Sequence, residues 1–370
     1  MRLLDRYLLR ELLLPLGYCL GGFLIFWISF DLINSLSRFQ KANLSLGDVA
    51  EYYLVTSPGI LLDLMPVALL LALLYTLTTH ARYNELTAIR AAGISLWRLS
   101  LPYFAVGLFF SMVYFMVNEF WVPSSMEKSD EIMHRRATQK PGAQKGDWRR
   151  DLKFVNSRDN RAWWIKAYNV KTSEMMGVII DWRFPDGKRT VISAKTGAFS
   201  NGVWTFTDVG QSAAQDISDK SVLTNQLEFS DWAESPALIK SEIKISGLNS
   251  KQAAKRPQLS IADIFNYLQL HPRLDSTTRS LVNTQLHGRI AAPFTCLVVI
   301  LIALPFGAIT GRRNVFIGVG SSIFICFSYF ILLRLGLALG TGGGLPSWLA
   351  AWLPNILFGS AAIWLTMRVR

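Results

Sequence analysis

Charged residues are scarce in this chain of 370 residues: they make up 17% of the sequence, whereas hydrophobic residues make up 51%. Such a composition is unusual for a soluble protein and indicates membrane-spanning segments. The net charge of +12 does not require a nucleic-acid partner. Much of the lysine and arginine flanks apolar runs, where the positive-inside rule accounts for it. We therefore expect a membrane protein that binds no nucleic acid.

Cysteine is also scarce, and its placement argues against disulfide bonds. Cys19, Cys296 and Cys326 all lie inside apolar runs, where cysteine acts as a small packing residue. The polar middle of the chain contains no cysteine. Its fold is therefore expected to form without disulfides.

The common sequence signatures of catalysis are missing. The chain has no G-x-x-x-x-G-K-[ST] loop, no H-E-x-x-H motif and no G-x-S-x-G elbow, and its four histidines are scattered. These absences argue against P-loop binding of ATP, against a zinc site and against a serine nucleophile. We expect no metal, no cofactor and no active site of its own.

Long apolar runs dominate both ends of the chain. Because about 20 helical residues cross the hydrocarbon core of a bilayer, six of these runs are long enough to span it. Pro123 follows the third run and is expected to end that helix. The predicted spans cover about 12–33, 58–79, 99–121, 288–309, 315–337 and 347–366.

The region between the third and fourth runs is polar and alternates in hydrophobicity. Short alternating stretches with turn signals such as Ser200-Asn201-Gly202 are typical of antiparallel strands in a sandwich or jelly roll. Ser260 and Asp263 fit a capping box that opens a helix to about residue 270. The predicted fold is an α-helical membrane protein with six transmembrane helices plus an extracytoplasmic antiparallel β-jellyroll domain. Its predicted divisions are 1–123, 124–286 and 287–370.

The arginines predict how the chain is oriented. The connections expected on one side of the membrane are rich in arginine, which marks that side as the cytoplasm. Both termini are then cytoplasmic, and the β-domain is on the opposite side. The arginines on the predicted cytoplasmic side are Arg2, Arg6, Arg10, Arg82, Arg90, Arg98, Arg312, Arg313, Arg368 and Arg370.

A short polar segment connects the second and third spans. We call residues 82–95 the coupling segment; it holds one acid, Glu85, near its start, followed by good helix formers and then Gly93. A short helix on the positively charged side is what a membrane protein can offer to a soluble partner. We hypothesise that this segment receives force from an ATPase.

Several local motifs, in this order, resemble the LptF/LptG permeases of the lipopolysaccharide exporter. The resemblance covers essentially the whole chain, and it is the order and spacing of the motifs that make it specific. The motifs are Leu4-Asp5-Arg6-Tyr7, Asn84-Glu85-Leu86, Ala92-Gly93-Ile94-Ser95, Asn118-Glu119-Phe120-Trp121-Val122-Pro123, Leu286-His287-Gly288-Arg289-Ile290-Ala291-Ala292-Pro293-Phe294 and Leu345-Pro346.

The resemblance implies a set of partners. A sister permease, LptF- or LptG-like, pairs with this subunit in the inner membrane above a dimer of a cytosolic ABC ATPase, LptB-like. Together they extract lipopolysaccharide and pass it to a periplasmic β-jellyroll bridge protein, LptC- or LptA-like. Glu85 matches the acid of the coupling helix that docks on the ATPase. The same short helix contains Leu86, Ile89, Arg90 and Gly93.

Candidate substrate contacts lie near the predicted outer ends of the spans. Arg334 could bind a lipid phosphate in bidentate fashion, or it could snorkel to the headgroups. Arg289 and His287 are further candidates. The permeases that the chain resembles have a lysine where it has Asp31, which is a departure from the family pattern.

The tryptophans of the β-domain also have two possible roles. Trp163, Trp182 and Trp204 could line a path for acyl chains, or they could form an ordinary core.

At the level of the whole protein, two alternatives stay open. One is a membrane sensor or scaffold with an external ligand-binding β-domain, and the other is a transporter of a different lipid.

Overall fold

The computed structural model describes residues 3–135, 148–156, 159–184, 186, 188–213, 222–230, 232, 234–246, 259–271, 274–309 and 315–368. The chain divides into two compact units. The first combines Met1–Asp130 with Ser276–Arg370, and the second is Glu131–Asp275. The arginines predicted in the turn at 311–314 lie outside the described residues.

Helices make up the first unit and flank the sheet of the second. Within the described residues, six helical stretches are long and apolar enough to cross a membrane, which confirms the predicted number of spans. In chain order the helices are α1 (Leu3–Lys41), α2 (Leu46–Arg82), α3 (Glu85–Ala91), α4 (Leu96–Met116), α5 (Val122–Arg135), α6 (Pro236–Ser246), α7 (Ile261–Leu270), α8 (Ser276–Ala291), α9 (Thr295–Ile309), α10 (Val315–Thr341) and α11 (Ser347–Arg368).

The first two helices are longer than the apolar runs that predict them. Only residues 42–45 separate α1 from α2, whereas the sequence predicts a polar, partly helical connection over 34–57. A capping box explains the early start of α2. The Ser45 hydroxyl accepts from the Asp48 backbone N–H, and the Asp48 carboxylate accepts from the Ser45 N–H. This exchange satisfies two backbone donors that would otherwise be unpaired.

The third span does not end at Pro123, so that prediction is wrong. A π-helical turn over Val117–Trp121 joins α4 to α5, and α5 continues to Arg135. Pro123 is the second residue of α5. A proline is tolerated in the first turn of a helix, where its missing N–H removes no necessary bond.

The fourth span contains a break at Pro293. A short 3₁₀ turn over Ala292–Phe294 separates α8 from α9, with Pro293 at its centre. Asn355 on α11 donates to the Ala291 carbonyl over 2.9 Å and accepts from the Tyr329 hydroxyl over 2.7 Å. These bonds satisfy a backbone carbonyl next to the break and connect it to α10 and α11.

Close packing of the last two helices depends on glycine. A Cβ added at Gly336 would lie 2.5 Å from the Ala350 carbonyl oxygen, and one at Gly340 would lie 2.5 Å from the Ala350 Cβ. The spacing of these glycines is the G-x-x-x-G spacing that allows two helix backbones to approach closely. By contrast, a Cβ added at Gly17 or Gly21 of α1 would meet nothing within 4 Å.

Six antiparallel strands make up the sheet of the second unit, which confirms the predicted antiparallel β-domain. Each strand pairs with the next along the chain, in the order β1 to β6. Asn201 and Gly202, both with positive φ, form the turn between β4 and β5, and the predicted capping box opens α7. The strands are β1 (Trp148–Asn156), β2 (Arg161–Asn169), β3 (Met175–Arg183), β4 (Arg189–Ser200), β5 (Val203–Ala213) and β6 (Val222–Phe229).

One face of this sheet forms the core of the second unit. Burial alternates along β1 and β2, as a sheet with one covered face requires. Leu238 and Ile239 of α6 belong to the same buried cluster as the inward side chains of the strands. Helix α6 therefore packs against the apolar face of the sheet.

Candidate functional site

The coupling segment contains α3 between two turns with unusual backbone angles. Asn84 precedes the helix with a φ of 60°, and Gly93 follows it with a φ of 81°. Asparagine and glycine are the residues that adopt this left-handed conformation most readily. The two turns therefore set where α3 begins and ends.

Helix α3 has one face toward the bundle and one toward solvent. Leu86 is buried within the main apolar cluster, and Ile89 packs against that cluster. Arg90 and Gly93 are exposed. Of the residues that the sequence analysis assigned to ATPase coupling, Leu86 and Ile89 thus hold the helix to the bundle, while Arg90 and Gly93 are on its outer surface.

Glu85 makes contacts within the chain that the sequence does not reveal. Its Oε2 atom accepts a hydrogen bond from the Tyr7 hydroxyl over 3.0 Å and lies 2.7 Å from His80 Nδ1. His80 is buried, and the Glu85 side chain is 36% exposed. The carboxylate therefore connects the start of α3 to both α1 and α2.

A second contact joins the same region of α1 to the start of α4. Arg98 donates to Asp5, with its NH2 atom 3.1 Å from Oδ1 and 3.2 Å from Oδ2. Arg98 is held at the first turn of α4, where the Ser95 hydroxyl caps the helix by accepting from the Arg98 N–H. We call the Tyr7–Glu85 and Asp5–Arg98 pairs the coupling contacts. Of the four residues, sequence reasoning assigned a functional contact only to Glu85. It used Arg98 only to mark the cytoplasmic side, and Asp5 and Tyr7 lie in the first family motif.

The candidate substrate residues of the membrane helices are not brought together. Asp31 accepts a hydrogen bond from Tyr53 over 3.0 Å and so joins α1 to α2. His287 is half-buried on α8. Arg334 is exposed on α10, and within the described part of the chain it forms no ion pair.

Arg289 occupies the interior of the bundle. Its side chain is 1% exposed, and its NH1 atom donates to the Asn118 carbonyl over 2.9 Å and to Glu119 Oε2 over 3.2 Å. Asn118 and Glu119 lie in the π-helical turn, which displaces backbone carbonyls from their usual partners. Arg289 thus supports that turn, and it is not at the surface where a lipid could reach it. The structure therefore favours a structural role over the predicted substrate contact.

The outward faces of α1 and α10 are apolar. In the apolar membrane-crossing stretch of each helix, 11% is buried for α1 and 22% for α10, compared with 67% for α2. On α10, Arg334 lies beside the exposed side chains of Ile331 and Leu335. These two helices therefore present the least covered surfaces among the spans of the described chain.

Two of the three candidate tryptophans belong to the core of the β-domain. Trp163 is 2% exposed and Trp204 is fully buried, whereas Trp182 is half-buried. Trp163 and Trp204 contact each other and pack with Phe206. In this structure they do not line an open path for acyl chains.

A buried carboxylate anchors the segment that leads into α6. Glu234 is fully buried, and its carboxylate accepts two bonds of 2.8 Å from Arg161 and one of 2.9 Å from Asn156. The Trp163 indole N–H donates to the same carboxylate over 3.1 Å. The Trp204 indole donates to the Glu234 carbonyl over 2.6 Å. Sequence reasoning missed this cluster, because Glu234 lies 71 to 78 positions from Asn156, Arg161 and Trp163.

Arg161 is the cation of that cluster. Its guanidinium lies over the rings of Trp182 and Trp232, at 5.1 and 4.8 Å from their centroids, a favourable placement for a cation. It is also paired with Asp159 over 2.6 Å. Each charged group in the cluster therefore has an opposite partner, which buried charges require.

Within the described residues, no three histidine, cysteine, aspartate or glutamate side chains lie close enough together to hold a metal ion. Six spans, a short helix between the second and third, and a β-domain inserted between the third and fourth together define a multi-span membrane protein. The model of one family, the lipopolysaccharide export system permease LptF/LptG, matches residues 6–368. The chain belongs to this family and is a multi-pass protein of the inner membrane. A comparison with curated protein sequences finds no match.

Family membership settles the general class of activity. Members are permease subunits of lipopolysaccharide export and are not themselves enzymes. The sequence resemblance is therefore confirmed for nearly the whole chain.

Proposed function

We propose that this protein is one of two membrane subunits of an ATP-driven exporter that extracts lipopolysaccharide from the inner membrane. A dimer of a cytosolic ABC ATPase supplies the energy, and a sister permease completes the membrane part. The termini and the coupling segment face the cytoplasm, and the β-domain faces the periplasm. The arginine-rich connections on the side of the termini support this orientation.

The observation that carries the proposal is the surface of α10. An exposed arginine, Arg334, lies there among exposed apolar side chains, and within the described residues it has no acidic partner. A cation on an apolar face of a span is costly and usually marks a functional contact. A lipid with acyl chains and phosphate groups fits both features of this surface. Its acyl chains cover the apolar side chains, and its phosphate pairs with the guanidinium.

The path of the lipid would run along the two least covered spans. Helices α1 and α10 expose apolar faces that a sister subunit or a lipid can cover. We propose that substrate enters between α1 of one subunit and α10 of the other. Asp31 and His287 are secondary candidates for contacts along this route. Arg289 is buried and paired, so its part is to support the helix rather than to bind lipid.

The ATPase would meet the exposed side of the coupling segment. Arg90 and Gly93 are exposed there, while Leu86 and Ile89 transmit movement through their packing in the bundle. Glu85 is the family's docking acid, and its carboxylate is partly exposed.

The β-domain would pass the lipid onward to a periplasmic bridge protein. In the described sheet, β1 and β6 are the outermost strands. An outermost strand can pair with a strand of another chain and so extend the sheet across a protein interface. Because Trp163 and Trp204 are packed in the core, the route for acyl chains requires either a surface such as that near Trp182 or an opening of the core.

The first experiment tests the partners and the cargo. Purification from the native membrane in a mild detergent, followed by mass spectrometry, should yield an ABC ATPase, a sister permease and bound lipopolysaccharide. Recovery of the protein alone with ordinary phospholipid would contradict the proposal and favour a sensor or scaffold. Recovery of the ATPase with a different lipid would support an ATP-driven exporter whose substrate is that lipid and not lipopolysaccharide.

The second experiment tests Arg334. Photocrosslinking of lipopolysaccharide to α10 should fall about tenfold or more in Arg334→Gln, because hydrogen bonds to a charged group contribute roughly 1.5–3 kcal/mol. Arg38→Gln, which removes an exposed arginine from the end of α1, is the matched control and should leave the yield unchanged. Equal yields in both variants would show that Arg334 only reaches toward the headgroups.

A further inference from the structure

We propose that α6 is a displaceable cover of the β-domain. The helix occupies part of the apolar face of the sheet, and acyl chains of the cargo bind to that face when α6 moves away. The inference rests on the proposed function, because it explains how acyl chains enter a domain whose core is closed. It identifies the segment that has to move and the side chains that hold it in place.

The first reason is that α6 covers a face larger than itself. Six strands about 4.8 Å apart make a sheet roughly 24 Å wide, whereas a helix of 11 residues is about 16 Å long. Among the described residues outside the strands, Leu238 and Ile239 of α6 are the buried members of the cluster on that face, and Ile243 packs against it. The rest of the face is therefore covered by its own side chains.

The second reason is the chemistry of this contact. The strand side chains of the buried cluster are aliphatic or aromatic, and those that α6 adds are aliphatic. An acyl chain is also aliphatic, so it can replace the side chains of α6 without leaving a buried polar group unpaired. The aromatic members of the cluster on the strands are Phe154, Trp163, Tyr168, Trp204 and Phe206.

The third reason is that the two ends of α6 are held in different ways. Before the helix begins at Pro236, the carboxylate of Glu234 is fixed in its buried cluster. Toward the other end, Glu242 accepts from the Tyr267 hydroxyl over 3.4 Å and lies 2.8 Å from His271 Nε2. We call these contacts of Glu242 the α6 clasp. Release of the clasp leaves the helix attached through the fixed residue at its start, about which it can turn.

The fourth reason is the space beside the helix. A cavity of about 390 Å³ lies between α6 and α7. The residues of α6 that line it differ from those that meet the sheet; they are Ala237, Lys240, Ser241 and Ile245. Protein interiors contain few voids larger than a water molecule, so α6 is not closely packed on this side. Segments with few packing contacts open locally at low cost.

The test measures how fast a thiol on the covered face reacts with a maleimide. Residues 131–275 contain no cysteine, so an introduced cysteine is the one thiol there, and mass spectrometry identifies its peptide. Ile180→Cys places it on the covered face, where Ile180 is 0% exposed. Ile179→Cys is the matched control, because the neighbouring residue of the same strand is 44% exposed. The full chain in mild detergent is used throughout.

Removal of the clasp should open the cover. In Glu242→Ala the thiol of Ile180→Cys should react about tenfold faster, because a hydrogen bond to a charged group contributes about that factor. The thiol of Ile179→Cys should react at an unchanged rate. Glu228→Ala removes an exposed acid of β6 and should change neither rate. Amide exchange of β3 should stay at its original rate, which separates displacement of α6 from unfolding of the sheet.

A lipid with acyl chains should then protect the covered face. Lipopolysaccharide added to the Glu242→Ala variant should slow the reaction of Ile180→Cys at least threefold and leave Ile179→Cys unchanged. Deacylated lipopolysaccharide, which keeps its sugars and phosphates, should not slow either reaction.

Three outcomes would overturn the inference. They are an unchanged rate for Ile180→Cys in Glu242→Ala, an equal rise in the amide exchange of β3, and equal protection by acylated and deacylated lipopolysaccharide. A failure of the proposed function looks different. If phospholipid protects Ile180→Cys and lipopolysaccharide does not, the proposed cargo is wrong while the cover is supported, since its opening in Glu242→Ala is measured without any cargo.

Discussion

Removal of the Glu234 carboxylate should destabilise the β-domain more than removal of any exposed carboxylate. The side chain is fully buried and receives four hydrogen bonds from Arg161, Asn156 and Trp163. In Glu234→Ala the guanidinium of Arg161, whose side chain is 5% exposed, keeps only Asp159 as an acidic partner among the described contacts. The Asn156 amide and the Trp163 indole also lose an acceptor.

The size of the effect follows from this geometry. Breaking a buried ion pair by removing one partner costs about 3–5 kcal/mol. Because Asp159 still offsets part of the charge on Arg161, we expect the lower end, about 3 kcal/mol. Glu234→Gln retains one acceptor oxygen and should cost less. Asp208→Asn is the control, since it breaks an exposed pair with Lys195 of 3.6 Å, and such pairs contribute about 0–1 kcal/mol.

Hydrogen exchange on the full-length protein measures this difference. The core amides of a sheet exchange through unfolding of the unit that contains them, and about 1.4 kcal/mol corresponds to a tenfold change in an equilibrium constant. Amides of β2 and β5 should therefore exchange about a hundredfold faster in Glu234→Ala and close to the wild-type rate in Asp208→Asn. A change of less than threefold in Glu234→Ala would refute the view that Glu234 anchors the domain.

Three further predictions concern single contacts. Arg189 donates to Asp181 and lowers the pKa of that carboxyl below its ordinary value of 3.8, so the pair stabilises the folded state above that value and loses its effect as the pH falls through the lowered pKa. Urea unfolding should thus show Asp181→Asn to be less stable than wild type at pH 7, and this difference should shrink as the pH falls through the lowered pKa. Gly336→Ala places a methyl group against a backbone carbonyl and should lower stability by about 1–3 kcal/mol, whereas Gly17→Ala, with open space around it, should not; thermal unfolding in detergent compares them. Arg289→Met removes the buried guanidinium that pairs with Glu119 and should cost about 3 kcal/mol by the same assay, so an unchanged midpoint would contradict a structural role for Arg289.

Sequence reasoning located the coupling segment but not its contacts. The polarity of the segment, Glu85 and Gly93 are all visible in the chain, because they depend on neighbouring residues. Tyr7 lies 78 positions from Glu85, and no local pattern connects the two. A family motif drew attention to Asp5 and Tyr7 without indicating what they contact.

The helix ends show how local signals can mislead. Pro123 was expected to stop the third helix, but the preceding π-helical turn lets a new α-helical segment begin just before it. The sequence of 34–57 predicts a polar, partly helical connection, yet the capping box at Ser45 and Asp48 starts α2 as early as Leu46. In both places hydrogen bonds of the backbone outweighed the hydropathy pattern.

The sequence by itself determined the number of spans, the antiparallel strands, the hairpin at Asn201-Gly202 and the capping box at Ser260. Each of these depends on hydropathy or on bonds between residues a few positions apart. Only the tertiary structure decided which polar side chains meet and which glycines lie at a helix contact. The G-x-x-x-G spacing occurs at Gly17 and Gly21 and again at Gly336 and Gly340, but within the described chain only the second pair packs against another helix. The reason is that a contact between distant segments depends on how whole faces of helices and sheets pack together, and no local stretch of sequence contains that information.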